Sequence, residues 1–319
     1  YDKDRCRMNH DDQKGAPPAR RLRYLPPYAY DELLEFLENR AIPGVEYVER
    51  GTYYRTAQIR KGNESYRGWL SVTNLPDENS LSVTMSGSLL HVSEMVISRV
   101  RRLFDTDCDP IKIANSLSVM NALAPDMCLS GIRLPGCFDP FEISVRAVLG
   151  QQVTVRAART LAMRFAHAFG EEIITPFEKL QYVFPPPEVI SNLEQPVENI
   201  LGPLGITGVR ARSIFALARA IQTGTIDFSA TADPETELPK LSKLPGFGPW
   251  TVQYVGMRAF GYPDAFPHTD YGIKKALEGL TEKEILSKSL KWKPWRSYAT
   301  LLLWNSLKKD KQKKEAQNP

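Results

Sequence analysis

The feature that most constrains this chain is a glycine-rich turn between two helix patterns in its C-terminal part. Residues 244–251 have the sequence Leu-Pro-Gly-Phe-Gly-Pro-Trp-Thr, with apolar residues at helical spacing around them. Because Gly246 and Gly248 carry no side chain, the turn can bring main-chain N–H groups and the next helix N-terminus against a phosphate. The turn therefore predicts either a packed helical hairpin or a hairpin that holds a nucleic-acid backbone.

Composition permits a polyanionic partner without indicating one. The chain has 319 residues and a formal net charge of +4, and this length allows two or three domains. No apolar run approaches the roughly 20 residues that span a bilayer, and no apolar stretch marks a signal peptide. We therefore expect a cytoplasmic monomer that does not associate with membranes.

The cysteines indicate neither a metal site nor a disulfide framework. Cys6, Cys108, Cys128 and Cys137 are scattered, form no C-x-x-C pair, and all precede the hairpin. A structural zinc site or a four-cysteine cluster needs closely spaced ligands. We therefore expect free thiols.

The first third of the chain has a mixed pattern of helix and strand. Tyr30–Arg40 places its apolar residues on one helical face, whereas Val45–Arg60, Tyr66–Asn74 and Leu81–Met85 alternate as strands do. Apolar residues then recur at helical spacing from Val92 to Phe104. The pattern predicts an antiparallel sheet with helices packed on it.

Beyond residue 109 the strand pattern fades and helical spacing dominates. The predicted fold class is α+β, with an N-terminal antiparallel-sheet domain at residues 24–108 and an all-α helix-hairpin-helix region at 109–307. Residues 1–23 are polar and do not begin with Met, which predicts a linker or a processed end, and residues 308–319 predict a basic, disordered tail. The predicted helices of the second region are Phe141–Leu149, Val153–Phe169, Ala211–Ile221, Thr251–Phe260 and Tyr298–Leu307.

A carboxylate follows the hairpin at a predicted helix start. Asp270 lies twenty residues after Trp250, in a segment that has the pattern of a helix N-cap. Capping alone accounts for many aspartates at such positions. The helix N-terminus also stabilises a negative charge, and an anion beside a nucleotide suits a reaction that passes through a sugar cation. Asp270 is therefore a candidate for either role.

Several motifs occur together in one order along the chain. Because of these motifs, residues from about 26 to 307 resemble the 3-methyladenine DNA glycosylase II family, the alkylation-repair branch of the helix-hairpin-helix glycosylases. The resemblance implies a monofunctional enzyme of base excision repair that flips alkylated bases, such as 3-methyladenine and 7-methylguanine, out of duplex DNA and hydrolyses their N-glycosidic bonds. The matching stretches are Pro26-Pro27-Tyr28, Leu134-Pro135-Gly136-Cys137, Phe141-Glu142, Val148-Leu149-Gly150-Gln151, the hairpin, Asp270-Tyr271 and residues 292–299.

The resemblance implies roles for single positions. Asp270 matches the catalytic aspartate, and Gly246, Gly248 and Thr251 match positions that hold the DNA backbone. No cofactor is required, although hairpins of this kind often hold a structural Na+ or K+ through carbonyl groups, here those of Ser242, Leu244 and Phe247. Aromatic rings attract a cationic alkylated base by about 0.5 to 2 kcal/mol per contact. The aromatic residues that match base-pocket positions are Phe36, Trp250, Tyr254, Tyr271 and Trp304.

Two further positions separate this chain from relatives. Trp250 lies where the glycosylase-lyases of the superfamily carry a nucleophilic lysine, so the resemblance implies an enzyme that leaves an abasic site. Gln152 lies where alkylation-repair relatives place an apolar wedge, which fills the gap left by the flipped nucleotide. Glutamine can fill this gap and bond to the opposite base, but it costs more to desolvate.

Three alternatives remain at this stage. One is an 8-oxoguanine-type glycosylase-lyase, which shares an α+β domain followed by helices, and Trp250 argues against it. Another is a non-catalytic helix-hairpin-helix DNA-binding module, against which Asp270 and the aromatic set argue. The third concerns context, because some relatives are fused behind a methyl-accepting transcriptional regulator, and a start without Met fits such a fusion.

Overall fold

The computed structural model describes residues 19–317, with side chains up to residue 309. One sheet contains the strands β1 Arg20–Arg23, β2 Glu46–Glu49, β3 Thr52–Lys61, β4 Glu64–Leu75 and β5 Ser80–Met85. The α-helices are α1 Tyr30–Arg40, α2 Ser93–Leu103, α3 Pro110–Leu117, α4 Pro140–Leu149, α5 Val155–Phe169, α6 Pro187–Ser191, α7 Glu198–Leu201, α8 Gly208–Gln222, α9 Pro234–Leu241, α10 Pro249–Arg258, α11 Tyr271–Ala276, α12 Glu282–Ser289 and α13 Arg296–Gln317.

The sheet is antiparallel throughout, with the strand order β1-β5-β4-β3-β2. Its buried face, which includes Tyr53 and Leu70, packs against Leu33 of α1 and Val96 of α2 in one apolar cluster. Burial of such side chains stabilises the layer by roughly 25 cal/mol per Å² of apolar surface. The predicted α+β fold class is confirmed.

The segment Val45–Arg60, predicted as one strand, forms two. Arg50 and Gly51 both have positive φ, 49° and 75°, and the flanking residues Glu49 and Thr52 pair with each other. Two residues in this conformation make the tight hairpin turn whose twist matches that of the strands. The apolar alternation continues across the turn, so the prediction of a single strand was wrong.

The structure predicted for the N-terminal linker and for the C-terminal tail needs correction. Arg20–Arg23, placed in the linker, forms β1 against β5, with Leu22 buried and Arg21 bonded to Ser82 Oγ at 2.7 Å. One buried leucine among arginines gives too weak a pattern to detect from sequence. The lysine-rich tail, predicted to be disordered, continues α13 to Gln317, because Lys, Glu, Ala and Gln all favour helix. Residues 1–18 and 318–319 lie outside the described part of the chain.

The helical region is built around two apolar clusters. Helix α4 packs against α5, α8 and α10, while α11 packs against α13. These contacts bring the hairpin between α9 and α10 beside the start of α11. Cys108, Cys128 and Cys137 are free thiols, and Cys6 lies outside the described residues.

A buried network of charges joins the sheet to α4. Arg55 Nη2 of β3 lies 2.6 Å from Glu142 Oε2, and Arg146 Nη1 lies 2.6 Å from Glu46 Oε1 of β2. Burial raises the pKa of Glu46, but the guanidinium groups of Arg146 and Arg55 outweigh it, so this pKa is lowered overall. Arg146 also donates a hydrogen bond to the backbone carbonyl of Arg40. The network therefore fixes the C-terminal end of α1 relative to α4.

Between residues 19 and 317, no single helix has the length and apolarity needed to cross a membrane. A bent pair, Glu198–Leu204 with Gly208–Gln222, meets that requirement only when its two parts are taken together, and they bend by 118°.

Candidate active site

A cleft of about 1510 Å³ opens where the turn between α4 and α5, the hairpin and the first turn of α11 meet. Its wall includes Gln152, Gly248 and Asp270, which come from these three segments, and Trp304 of α13. Residues from separate parts of the chain thus line one concave surface.

The two hairpin glycines are needed for different reasons. Gly246 has φ +76°, and a Cβ on it would lie 2.1 Å from Ser213 Oγ of α8. Gly248 is the N-cap of α10 with φ −75°, and a Cβ there would meet nothing within 4 Å. Gly246 therefore permits the turn itself, whereas Gly248 keeps the outer surface of the turn bare.

The first turn of α10 directs main-chain N–H groups outward. Within residues 19–317, the N–H groups of Gly248, Trp250 and Thr251 donate no hydrogen bond to the protein. The hydroxyl of Thr251 is buried and accepts a bond of 2.8 Å from Gln151 Nε2, which also bonds to Gly246 O at 2.8 Å. Thr251 can thus bind an external phosphate through its backbone only, and Gln151 holds the hairpin against α4.

Asp270 is held on the wall of the cleft by three donors. Its Oδ2 accepts from Trp250 Nε1 at 2.8 Å, and its Oδ1 accepts from Trp304 Nε1 at 2.8 Å. Oδ1 also accepts from the N–H of Ile273 at 3.1 Å, so Asp270 is the N-cap of α11 as predicted. The capping role and the position in the cleft therefore occur together.

The predicted aromatic residues occupy different positions around the cleft. Trp250 and Tyr254 stack with ring centroids 5.0 Å apart, and both line the cleft with Trp304. Tyr271 lies at the rim with 78% of its surface exposed. Phe36 lies behind the wall and stacks on Trp304 at 6.3 Å, so it supports the pocket from outside.

Two arginines that sequence reasoning missed lie near Tyr254. Arg258, only 2% exposed, donates from Nη1 to Tyr254 Oη at 2.7 Å. Arg40 lines the cleft with its guanidinium carbon 3.7 Å from the ring centroid of Phe36. Burial raises the pKa of Tyr254, but the positive charges of Arg258, Arg40 and Arg146 outweigh it, so this pKa is below the usual value of 10.0.

Gly272 is a further residue that sequence reasoning missed. A Cβ at this position would lie 2.8 Å from Trp304 Cδ1 and 3.0 Å from Asp270 Oδ1. Glycine is a poor helix former, and its place in the first turn of α11 is the signal that could have identified it. Its absent side chain allows the indole of Trp304 to reach the carboxylate.

Gln152 lies in the turn between α4 and α5 with its side chain exposed at the cleft. Its φ is +53°, a left-handed conformation that is uncommon for residues other than glycine. Arg210 donates to the backbone carbonyl of the preceding Gln151, which holds the turn in place. Strained backbone of this kind is often associated with a functional position.

Comparison with known families divides the chain into two matched parts. Residues 19–139 match the model of the AlkA N-terminal domain. Residues 145–288 match the model of the HhH-GPD superfamily base excision DNA repair protein. The second match includes the hairpin, Gln152 and Asp270.

Curated relatives match over most of the chain. It is 35% identical to DNA-3-methyladenine glycosylase 2 of Escherichia coli over 286 residues, which cover 89% of this chain and 95% of that protein. It is 34% identical to a probable bifunctional transcriptional activator/DNA repair enzyme AlkA of Mycobacterium tuberculosis, with 90% of this chain and 56% of that protein covered.

Solved structures share the fold at lower identity. A 3-methyladenine DNA-glycosylase from Archaeoglobus fulgidus superposes with a TM-score of 0.74 at 18% identity, over 89% of this chain and 97% of that chain. An 8-oxoguanine glycosylase/lyase of Clostridium acetobutylicum in complex with double-stranded DNA has a TM-score of 0.69 at 16% identity, over 92% of this chain and 96% of that chain. At such identities the likeness establishes the fold alone.

Proposed function

This chain belongs to the DNA-3-methyladenine glycosylase 2 family of helix-hairpin-helix base excision repair enzymes, and we propose that Asp270 is its catalytic carboxylate. Its activity is the removal of alkylated bases from DNA by hydrolysis of the N-glycosidic bond. The observation that carries the assignment is the carboxylate of Asp270, held in the cleft by the indole N–H groups of Trp250 and Trp304.

The geometry accounts for how a carboxylate promotes this hydrolysis. As the bond from the sugar to the base breaks, positive charge develops on the sugar ring, and a fixed anion beside it lowers the barrier. Asp270 already has its orientation fixed by Trp250, Trp304 and Ile273, so little reorganisation accompanies the reaction. Asp270 stabilises the sugar cation, while the aromatic walls formed by Trp250, Tyr254 and Trp304 enclose the flipped base.

The partner that fits this site is duplex DNA containing an alkylated base. The N–H groups of Gly248, Trp250 and Thr251 at the start of α10 bind a phosphate, because a helix N-terminus favours an anion. Gln152, exposed on its strained turn, enters the gap in the duplex left by the flipped nucleotide.

The hairpin carbonyl groups fit a monovalent cation. In the described part of the chain, the carbonyls of Ser242 and Phe247 accept no backbone hydrogen bond, and that of Leu244 accepts one, from the N–H of Phe247 at 3.2 Å. Free carbonyl lone pairs suit Na+ or K+, whose charge would help to attract a phosphate. The chemistry at Asp270 requires no cofactor.

Two alternatives have less support. A glycosylase-lyase needs a nucleophilic amine at the cleft, and the position at which that lysine is expected holds Trp250, bonded to Asp270. A non-catalytic module does not need a carboxylate fixed by two indoles.

The mycobacterial relative, of which this chain spans 56%, carries a transcriptional activator name, and we propose that a fusion to an upstream methyl-accepting regulator is the natural context.

Asp270→Asn tests the proposed role. Asparagine caps a helix about as well as aspartate, so the bond from the N–H of Ile273 should remain. The variant loses the charge that opposes the sugar cation, and its amide nitrogen cannot accept from Trp250. Single-turnover excision of 3-methyladenine should fall by about 10²-fold or more, the range seen when one charge-stabilising group is removed. Excision at a near wild-type rate would show that another group stabilises the cation.

Borohydride trapping separates hydrolysis from lyase chemistry. Because Trp250 cannot form a Schiff base, reaction with alkylated DNA and borohydride should give no covalent adduct, and strand cleavage should require added alkali. A gel of the product strand before and after alkali measures both. A borohydride-stable adduct that forms with the wild type would establish the lyase alternative.

A further inference from the structure

The cleft has opposite charges at its two ends. One face of α10 carries Trp250, Tyr254 and Arg258 at successive intervals of four residues, which spans roughly 12 Å along the helix axis. Trp250 bonds to the anionic Asp270 at one end. Toward the other end, Arg258 lies behind the wall and bonds to the hydroxyl of Tyr254, while Arg40 lines the cleft itself. A base placed along this wall lies between a fixed anion and fixed cations.

The cations at the deep end lack carboxylate partners. Among the described side chains, no Asp or Glu pairs with Arg40 or Arg258, whereas the nearby Arg146 pairs with Glu46 and Glu142. A cation that is withdrawn from water without an anionic partner is costly. Arg258 is satisfied by Tyr254 and by the backbone carbonyl of Gly136. Arg40 is partly buried beside the hydroxyl of Tyr254 and has fewer partners than Arg258.

Arg40 has donors left for a ligand. Its guanidinium stacks on Phe36 and makes one long hydrogen bond, 3.4 Å from Nη1 to Phe36 O. A guanidinium has five N–H donors, and this one lines the cleft. The backbone of Arg40 is held by Arg146, so the position of the side chain at the end of α1 is supported from α4. The group is well placed to bond to a carbonyl oxygen or a ring nitrogen of a flipped base.

We propose that Arg40 is a second catalytic group, which stabilises the negative charge that the departing base receives while Asp270 stabilises the sugar. When the bond between C1′ and nitrogen breaks, its electron pair leaves with the base. The sugar then takes the oxygen of a water molecule, which releases a proton. An alkylated cationic base departs as a neutral molecule, and a neutral base such as hypoxanthine departs as an anion that takes a proton from water.

In both cases the base becomes more negative by one charge, so a cation beside it stabilises the transition state more than the ground state. The same cation opposes the binding of a base that is already positive. The attraction of aromatic rings for a cationic base is therefore offset at this end of the cleft by Arg40. Neutral bases that carry a carbonyl oxygen gain most from it.

The inference rests on the proposed placement of the base in this cleft, and Arg40→Met and Arg40→Lys test it. Duplexes with one hypoxanthine or one 7-methylguanine are incubated with excess enzyme, and the single-turnover rates are measured. Arg40→Met should slow release of hypoxanthine by about 10- to 100-fold, the order expected for one lost hydrogen bond to a charged group, and release of 7-methylguanine by less. Arg40→Lys, which keeps the charge, should recover part of the loss.

A binding measurement shows whether the Arg40 substitution disturbs the rest of the site. It uses DNA with a pyrrolidine abasic analogue, which is a cationic mimic of the sugar and carries no base. Arg40→Met should bind this DNA within threefold of the wild type, because Arg40 acts on the base, whereas Asp270→Asn should bind it more weakly. Hypoxanthine release by Arg40→Met within threefold of the wild type would overturn the proposal. The proposal would also be overturned if Arg40→Met lost binding to the pyrrolidine DNA and Arg40→Lys released hypoxanthine as slowly as Arg40→Met. Wild-type binding and excision by Asp270→Asn would instead contradict the proposed role of Asp270.

Discussion

Trp304 combines two roles that the sequence presents as one. As an aromatic residue in a base pocket it can attract a cationic purine through its ring face. The structure adds a hydrogen bond of 2.8 Å from its Nε1 to Asp270, which is possible because Gly272 has no side chain in the way. Replacing Trp304 by alanine would remove both the ring and the donor, so the effects could not be separated.

Trp304→Phe keeps an aromatic face and removes only the donor. Loss of one hydrogen bond to a charged group costs about 1.5 to 3 kcal/mol, so excision should fall roughly 10- to 150-fold. The factor should be the same for 7-methylguanine and hypoxanthine, because the proposed action of Asp270 is on the sugar in both reactions. Trp304→Ala is the matched comparison and should add a loss specific to 7-methylguanine. Wild-type rates in Trp304→Phe would show that the indole does not align the carboxylate.

At the scale of elements, the hairpin depends on the packing of α8 behind it as well as on its own sequence. Gly246 lies over Ser213, which is fully buried in α8, and its carbonyl accepts from Gln151. Gly248 touches none of these and faces outward. The two glycines can therefore be substituted to separate folding from DNA binding.

Gly248→Ala should leave the fold intact, because its φ of −75° suits alanine and no atom lies within 4 Å of the new Cβ. Affinity for duplex DNA should fall about tenfold, equally for damaged and undamaged duplexes, because we propose that the hairpin contacts phosphate and not base edges. Fluorescence anisotropy at fixed salt measures both. Weaker binding to damaged DNA alone would place Gly248 at the base.

Gly246→Ala is the contrasting variant. Its φ of +76° and the 2.1 Å approach to Ser213 Oγ should destabilise the hairpin, by about 1 to 3 kcal/mol for the backbone conformation alone. Its unfolding midpoint should drop, in contrast to that of Gly248→Ala, and thermal denaturation compares the two. Equal midpoints would show that the turn relaxes around the new methyl group.

At the scale of the whole molecule, two polar clusters connect the N-terminal sheet to the helices. One is the network of Glu46, Arg55, Glu142 and Arg146 beneath the cleft. The other is centred on Asp105, whose Oδ2 accepts from the N–H of Leu134 and from Tyr298 Oη of the last helix, both at 2.8 Å. Burial raises the pKa of Asp105 to about 6.

Asp105→Asn should make the free energy of unfolding less dependent on pH. The pKa of Asp105 is about 6 in the folded protein and 3.8 in the reference state. Its carboxyl group therefore does not destabilise the fold below pH 3.8, destabilises it increasingly between pH 3.8 and 6, and has its full destabilising effect above pH 6. Asparagine also tolerates the positive φ of 50° at this position. The stability of the variant relative to the wild type should therefore rise with pH, by on the order of 2 to 3 kcal/mol in total. Urea denaturation at pH 4.5 and 7.5 measures the change, and a constant difference would contradict the assignment.

The sequence by itself determined the features that depend on neighbouring residues. The antiparallel sheet followed from alternation, the helix limits of α1 from apolar spacing, and the N-cap role of Asp270 from its local pattern. The fold class and the family also followed from the chain, because rare motifs occur in a fixed order. Local sequence was insufficient where a weak pattern gained structure from its surroundings, as in β1 and the lysine-rich end of α13.

Only the tertiary structure decided which side chains line the cleft. Arg40 lies in the first helix and Tyr254 in the tenth, and their proximity depends on Arg146 and the buried network that fixes α1 against α4. The bond from Trp304 to Asp270 likewise depends on the packing of α13 over Gly272. Charge compensation and close approach are properties of three-dimensional neighbours, which spacing along a chain does not encode. The opposite charges at the two ends of the cleft thus arise from packing.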